Sequence, residues 1–306
     1  MAEKQHNVLD PLVIAKIANL IMRARFVVEG VLSGLHKSPH QGSSVEFVEH
    51  KEYSPGDELK NVDWKVYGRS DKFYVKEFEE ETNLKCHVLV DSSGSMGYRS
   101  TSVSKLEYAT TLAASLVYLM LRQMDAVGLI LFGGRDGDTT YIPARSRSTH
   151  LQVLIETLER AVPAGDARLS ATLREFAEKV RRRGLLIVIS DLFDDPDTVI
   201  HMLKLFRHRK HEVILFHILD PWELEFPFTD LTRFKSMEDA REVLTEPRAV
   251  RDAYLRELNA LIERYRVECL THEIDYHLFS TATPLDQVLP RYLARRERLL
   301  AMRAQL

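Results

Sequence analysis

Leu89 to Met96 reads LVDSSGSM: an apolar run ends in Asp91, and Ser93 and Ser95 follow at alternate positions. Three oxygen-bearing side chains thus fall within the five residues from Asp91 to Ser95. Such a set suits a hard divalent cation, which takes oxygen ligands in octahedral geometry at about 2.0–2.1 Å and keeps several waters. Serine hydroxyls are neutral, so they bind without cancelling the ion's charge. The ion then stays electrophilic toward an incoming carboxylate. Gly94 is expected to allow a tight backbone path between the two serines. Asp191 follows a second apolar run, Leu185 to Ile189, and Ser190. It is expected to act through a water and hold the hydroxyls in place.

These residues need a frame that brings two strand ends together. From Leu84 onward, apolar strands alternate with amphipathic segments. The pattern predicts strands at 84–90, 126–132, 185–189, 213–219 and 269–274, with a short strand at 139–142 returning beside the second. Helices are predicted at about 104–123, 148–161, 168–183 (capped by Gly184), from Pro196, at 251–265, and from Pro284. Residues 220–241 carry Pro221, Trp222, Pro227 and Phe228 and read as an inserted loop or hairpin. Alternating strands and helices imply an α/β fold: a doubly wound, mostly parallel sheet with helices on both faces. Ligands of such sheets bind at the carboxyl ends of the strands. If the strands ending at Asp91 and Asp191 are neighbours, both carboxylates share one rim.

The chain divides by pattern into an N-terminal helix (1–35), a β-rich segment (36–83) and the α/β domain (84–306). The helix shows Val13, Ile17, Leu20, Ile21 and Ala24 at helical spacing. In the second segment, Pro55-Gly56 forms a strong turn and Asp57 is placed to cap a short helix. Composition excludes several classes. The 306 residues carry a formal net charge of −3, so no basic excess points to nucleic acid. The longest apolar stretch, Leu112 to Leu121, is too short to span a bilayer and reads as a buried helix. No signal peptide is recognisable, so a cytoplasmic protein without membrane insertion is expected. Cys86 and Cys269, the only two cysteines, sit in apolar segments and read as core thiols in a reducing compartment.

DSSGSM after an apolar strand resembles the metal-ion-dependent adhesion site of von Willebrand factor type A domains. The resemblance becomes more specific upstream. Tyr53, Pro55-Gly56-Asp57, Asp63-Trp64 and Arg69, within EYSPGDELKNVDWKVYGRSDKFYVKEFEEE from Glu52 to Glu81, are similar in order and spacing to the bacterial family called domain of unknown function 58. That resemblance implies a type A-like fold, with Mg2+ or Mn2+ held by Asp91, Ser93, Ser95 and Asp191. It also implies a non-enzymatic protein-binding module. The implied partner is a MoxR-type AAA+ ATPase or another protein presenting an acidic residue, in chaperone-like assembly or maturation of protein complexes. Two positions depart from the pattern. The threonine expected before the helix at Arg168 falls on Ala167; Asp166, Ser170 or Thr172 could substitute as a ligand, though none is in register. The arginine after Gly56-Asp57 is Lys60.

Two rival readings stand beside this one. Asp57 and Asp63 with Asp91 and Asp191 would suit a metal-assisted hydrolase, but no nucleophile or base with a defined partner accompanies them. A structural scaffold with a vestigial metal site is the other, and Ala167 favours it. Asp57, Asp63, Trp64 and Arg69 otherwise read as structural: a cap, an ion pair and an anchor. The pairs His36/His40 and His208/His211 read as solvated surface. Ser190-Asp191 lacks a Gly-x-Ser-x-Gly elbow, and no phosphate-binding Gly-x-x-x-x-Gly-Lys loop occurs.

Overall fold

The computed structural model describes residues 19–36, 51–52, 74–75, 85–134, 139–147, 149–166, 168–180, 182–285, 288–290 and 293. Two compact units emerge: residues 1–33 with 84–306, and residues 34–83. In the smaller unit, strands β1 (Lys51–Glu52) and β2 (Tyr74–Val75) pair antiparallel. The expected N-terminal helix does not run unbroken from Val13 to Ala24: Asn19 is not helical, and a helix begins at Leu20. Tyr53, Pro55, Gly56, Asp57, Lys60, Asp63, Trp64, Arg69 and Ala167 lie outside the described residues. So does most of the closing helix.

The larger unit is built on a six-stranded sheet in the order β10-β7-β6-β3-β4-β5. Its strands are β3 (Lys85–Asp91), β4 (Ala126–Phe132), β5 (Thr140–Arg145), β6 (Leu185–Ser190), β7 (Glu212–Leu219) and β10 (Asp275–Ser280). All pairs are parallel except β4 with β5. The chain leaves β3 toward β4 and later returns to β6 on β3's other side. The order therefore reverses between β3 and β6, where doubly wound sheets open a crevice at their carboxyl ends.

Strand periodicity divides the core in two. Cys86, Val88 and Val90 of β3 and Leu185, Ile187 and Ile189 of β6 face one layer, with α1 (Leu20–His36), α2 (Lys105–Arg122) and α3 (His150–Glu159). Leu89, Leu186 and Val188 face the other layer, with α4 (Leu169–Lys179), α5 (Pro196–His208) and α7 (Pro247–Thr271). Central strands covered on both faces read as continuous apolar runs, which is why β3 and β6 stand out in the sequence. In α1, Leu20, Ala24, Val27, Val28 and Val31 form the buried stripe, and the Asn19 side chain accepts from the amides of Ile21 and Met22.

Between β7 and α7 lies the insertion. It holds α6 (Pro221–Glu225) and a two-stranded hairpin, β8 (Thr232–Lys235) with β9 (Glu242–Thr245). The hairpin expected from the prolines and aromatics is present, and it extends to Thr245.

Three expectations need correction. Residues 269–271 belong to α7, not to a strand, because the inward series Leu258, Ile262, Tyr265, Cys269 runs on at helical spacing. The last strand is Asp275–Ser280, an edge strand whose residues are mostly half-buried, so it shows no continuous apolar run. Helix α4 ends at Lys179, with Val180 already extended, and Gly184 is not its cap. His211 is buried edge-to-face on Phe206 at 5.5 Å, whereas His208 is exposed as expected.

Candidate functional site

Asp91 and Asp191 lie at the carboxyl ends of two paired strands, inside the crevice and 1% and 0% exposed. One Asp91 oxygen accepts from the Ser93 amide (2.9 Å); the other accepts from the Ser190 hydroxyl (2.6 Å). Ser190 in turn accepts from the Leu192 amide at 3.0 Å, which fixes its rotamer. The Ser93 and Ser95 hydroxyl oxygens are 3.1 Å apart. Adjacent ligands of an octahedral ion with bonds of about 2.1 Å are separated by about 3.0 Å. The spacing therefore fits two neighbouring coordination positions, and Asp91 adds a third oxygen.

Three loops set this geometry. The Ser92 amide and hydroxyl both donate to the Phe132 carbonyl at the end of β4. The Ala164 amide donates to the Ser92 carbonyl, and the Gly94 amide donates to the Gly165 carbonyl. Gly165 has φ +70°, which turns its carbonyl toward Gly94. Gly94 is not in the left-handed region, so its need for glycine is spatial, not conformational. A Cβ there would stand 2.1 Å from the Met237 carbonyl oxygen at the tip of the β8–β9 hairpin. Asp166 is exposed beside this junction. Ser170, one of the nearby hydroxyls, instead has its amide held by Asp194, and Thr172 lines a separate small cavity with Tyr141 and Phe176.

The electrostatics separate the two aspartates. Lys105, 0% exposed, places its ammonium 2.8 Å from Asp191 and 2.6 Å from Glu223 of α6. Burial opposes the charged forms of both groups. The two carboxylates nonetheless hold the Lys105 ammonium above its usual range, and Lys105 with the Ser95 hydroxyl holds Asp191 below its own. Among the described residues, no such cation stands beside Asp91. Burial, reinforced by the neighbouring Asp191 charge, pushes its carboxyl up to about 7 despite the Ser190 and Ser93 hydrogen bonds. A carboxylate this deep, next to converging hydroxyls and lacking a counter-charge, fits a divalent cation. The donor set of oxygens without thiol or imidazole suits Mg2+ or Mn2+.

Sequence reasoning missed Lys105 and Glu223. A signal was present. Lys105 heads an apolar helix directly after the Ser104 cap, where Ser104 and Glu107 bond each other's amides in a capping box. A cation at a helix N-terminus opposes the helix dipole, so it needs another reason to be there. Asp191 and Glu223 supply it. Among the described residues, no three His, Cys, Asp or Glu side chains cluster as a metal site.

A doubly wound sheet with an aspartate and alternate serines at its switch point resembles the arrangement of von Willebrand factor type A domains. The chain belongs to the family described as protein of unknown function DUF58, whose model matches residues 49–262. A relative from Mycobacterium tuberculosis, the uncharacterized protein Rv1480, is 28% identical over 252 residues, covering 81% of this chain and 78% of its own. Among solved structures, the conserved hypothetical protein BatB from Bacteroides thetaiotaomicron is similar at TM-score 0.43 and 15% identity, covering 70% of this chain and 99% of its own. The SpRpn10 VWA domain is similar at TM-score 0.33 and 15% identity, covering 44% and 75%. The strand order, not these likenesses, defines the fold. No helix among the described residues is long and apolar enough to cross a membrane.

Two outcomes follow. Lys105→Met strands two buried carboxylates, so it should lower unfolding free energy by about 3–5 kcal/mol in urea titrations; a loss under 1 kcal/mol would contradict the pairing. In chelator, the folded state holds the Asp91 proton more tightly than the unfolded chain, from an ordinary 3.8 up to about 7. Stability should therefore fall as pH rises through that window, by roughly a few kcal/mol. Asp91→Asn should flatten that slope, and an unchanged slope would show that Asp91 is not its source.

Proposed function

We propose that this chain is a non-enzymatic protein-binding module whose Asp91, Ser93 and Ser95 hold Mg2+ or Mn2+, with Asp191 positioning the hydroxyls. In this reading it captures an acidic side chain of a partner and serves a MoxR-type AAA+ ATPase as adaptor in assembly or maturation of protein complexes. One observation carries the chemistry: a buried Asp91 carboxylate that no cation among the described residues meets, facing two hydroxyls 3.1 Å apart. The bound ion would supply a Lewis-acidic position for a carboxylate oxygen. Ser93 and Ser95 bind without neutralising it. Ser190 and the Ser93 amide hold Asp91 in one orientation, so binding the ion needs little reorganisation. The partner class comes from the family resemblance. What supports a binding role over hydrolysis is the tethering at the rim, where Asp191 is engaged by Lys105 and is not poised as a base.

Lys105 also favours a second reading, a scaffold whose rim works without metal, since one of its two charges is already neutralised. Calorimetry separates the two. Binding of Mg2+ and Mn2+ by the wild type, weakened at least tenfold in Ser93→Ala/Ser95→Ala, supports the metal-bridge reading. Heat changes no larger than dilution leave the scaffold. Co-purification of the ATPase should fail in chelator and with Asp91→Ala; undiminished capture would remove the metal bridge.

A further inference from the structure

The β8–β9 hairpin is a strap laid over the rim. Each of its strands has four residues, and they pair only with each other, a ladder too small to be stable unaided. It is held at two places. Its base stands on an aromatic cluster: Phe234 meets Phe226 and Phe228 at 5.6 and 5.1 Å, and Phe226 meets Tyr254 at 4.6 Å. Its tip presses on the DSSGSM loop. The Met237 carbonyl fills the space a side chain at Gly94 would need, and the Met237 methyl lies against Gly97. The turn is preformed, because Ser236 accepts from the Glu238 and Asp239 amides and donates its own amide to the Arg241 carbonyl.

This places Glu238 at the rim. Its Oε1 is buried, although Met237 and Asp239 on either side are exposed. Glu238, Ser236 and Met237 line one cavity of about 260 Å³ with Ser95, Tyr98, Phe193 and Glu223. An acidic residue of the strap and Ser95 thus line one open pocket. The outer edge of the strap keeps Val243 and Leu244 58% and 61% exposed, so lifting it sacrifices little packing on that side.

We propose that the strap is an internal occupant of the rim: Glu238 presents to the cation at Asp91, Ser93 and Ser95 the carboxylate that a partner would otherwise bring. A partner's acid then enters only when the strap lifts off Gly94. This rests on the metal-dependent reading above.

The test uses the full chain and Mn2+, read by titration and by water-proton relaxation of the bound ion. Glu238→Ala should weaken Mn2+ about tenfold and raise the relaxivity per bound ion, as water takes the vacated position. N-acetylglutamate added to that variant should lower the relaxivity again, and should have no effect on wild type. Glu238→Gln, which preserves the turn, should behave as Glu238→Ala. Equal affinity and relaxivity in wild type and both variants, with Asp91→Asn having lost Mn2+, overturns the strap inference alone. No Mn2+ binding by wild type, or binding retained in Asp91→Asn, overturns the metal reading and the strap with it.

Discussion

Two carboxylates on adjacent parallel strands, both sealed from water, repel each other and resist ionisation. The rim is built around that constraint. Lys105 resolves half of it, tying Asp191 to Glu223 through one buried ammonium. The other half rests on Asp91, which hydrogen bonds orient but no cation among the described residues neutralises. The loops after β3 and β4 and the 161–166 loop lock onto one another through backbone hydrogen bonds around this pair. They hold the hydroxyls while the charge is left open.

The same lysine links the rim to the insertion. Glu223 is both its partner and the capping-box residue of α6, where it accepts from the Asp220 amide at 2.7 Å. Asp220 also accepts from the Ser100 amide in the segment leading to α2. Helix α6, which leads into the strap, is therefore bonded to residues that flank the DSSGSM loop, and the tip of the strap rests on that loop through Met237.

Much of this was legible in the sequence for physical reasons. Strands β3 and β6 are buried on both faces, so they read as unbroken apolar runs ending in Asp91 and Ser190-Asp191. The sequence leaves their adjacency open, and the strand order supplies it. Strand β10 was misplaced because an edge strand needs no such run, and because the apolar series of α7 continues through Cys269. The sequence shows a glycine at position 94 but not the distant Met237 carbonyl that crowds it, so the role expected of Gly94 is conformational where the structure makes it spatial. Lys105 was invisible as a site residue for the same reason: its partners lie 86 and 118 residues away. His211, read as surface from its basic neighbours, is sheltered by Phe206.

The open charge at Asp91 is the central claim, and a Mn2+ soak or co-crystal with anomalous diffraction at the manganese edge tests it most directly. A single peak within about 2.2 Å of Asp91, Ser93 or Ser95 oxygens, with Lys105 still on Asp191, is the predicted result. No peak at the rim at saturating Mn2+, or a peak bound only by Asp191 with Lys105 displaced, would contradict it.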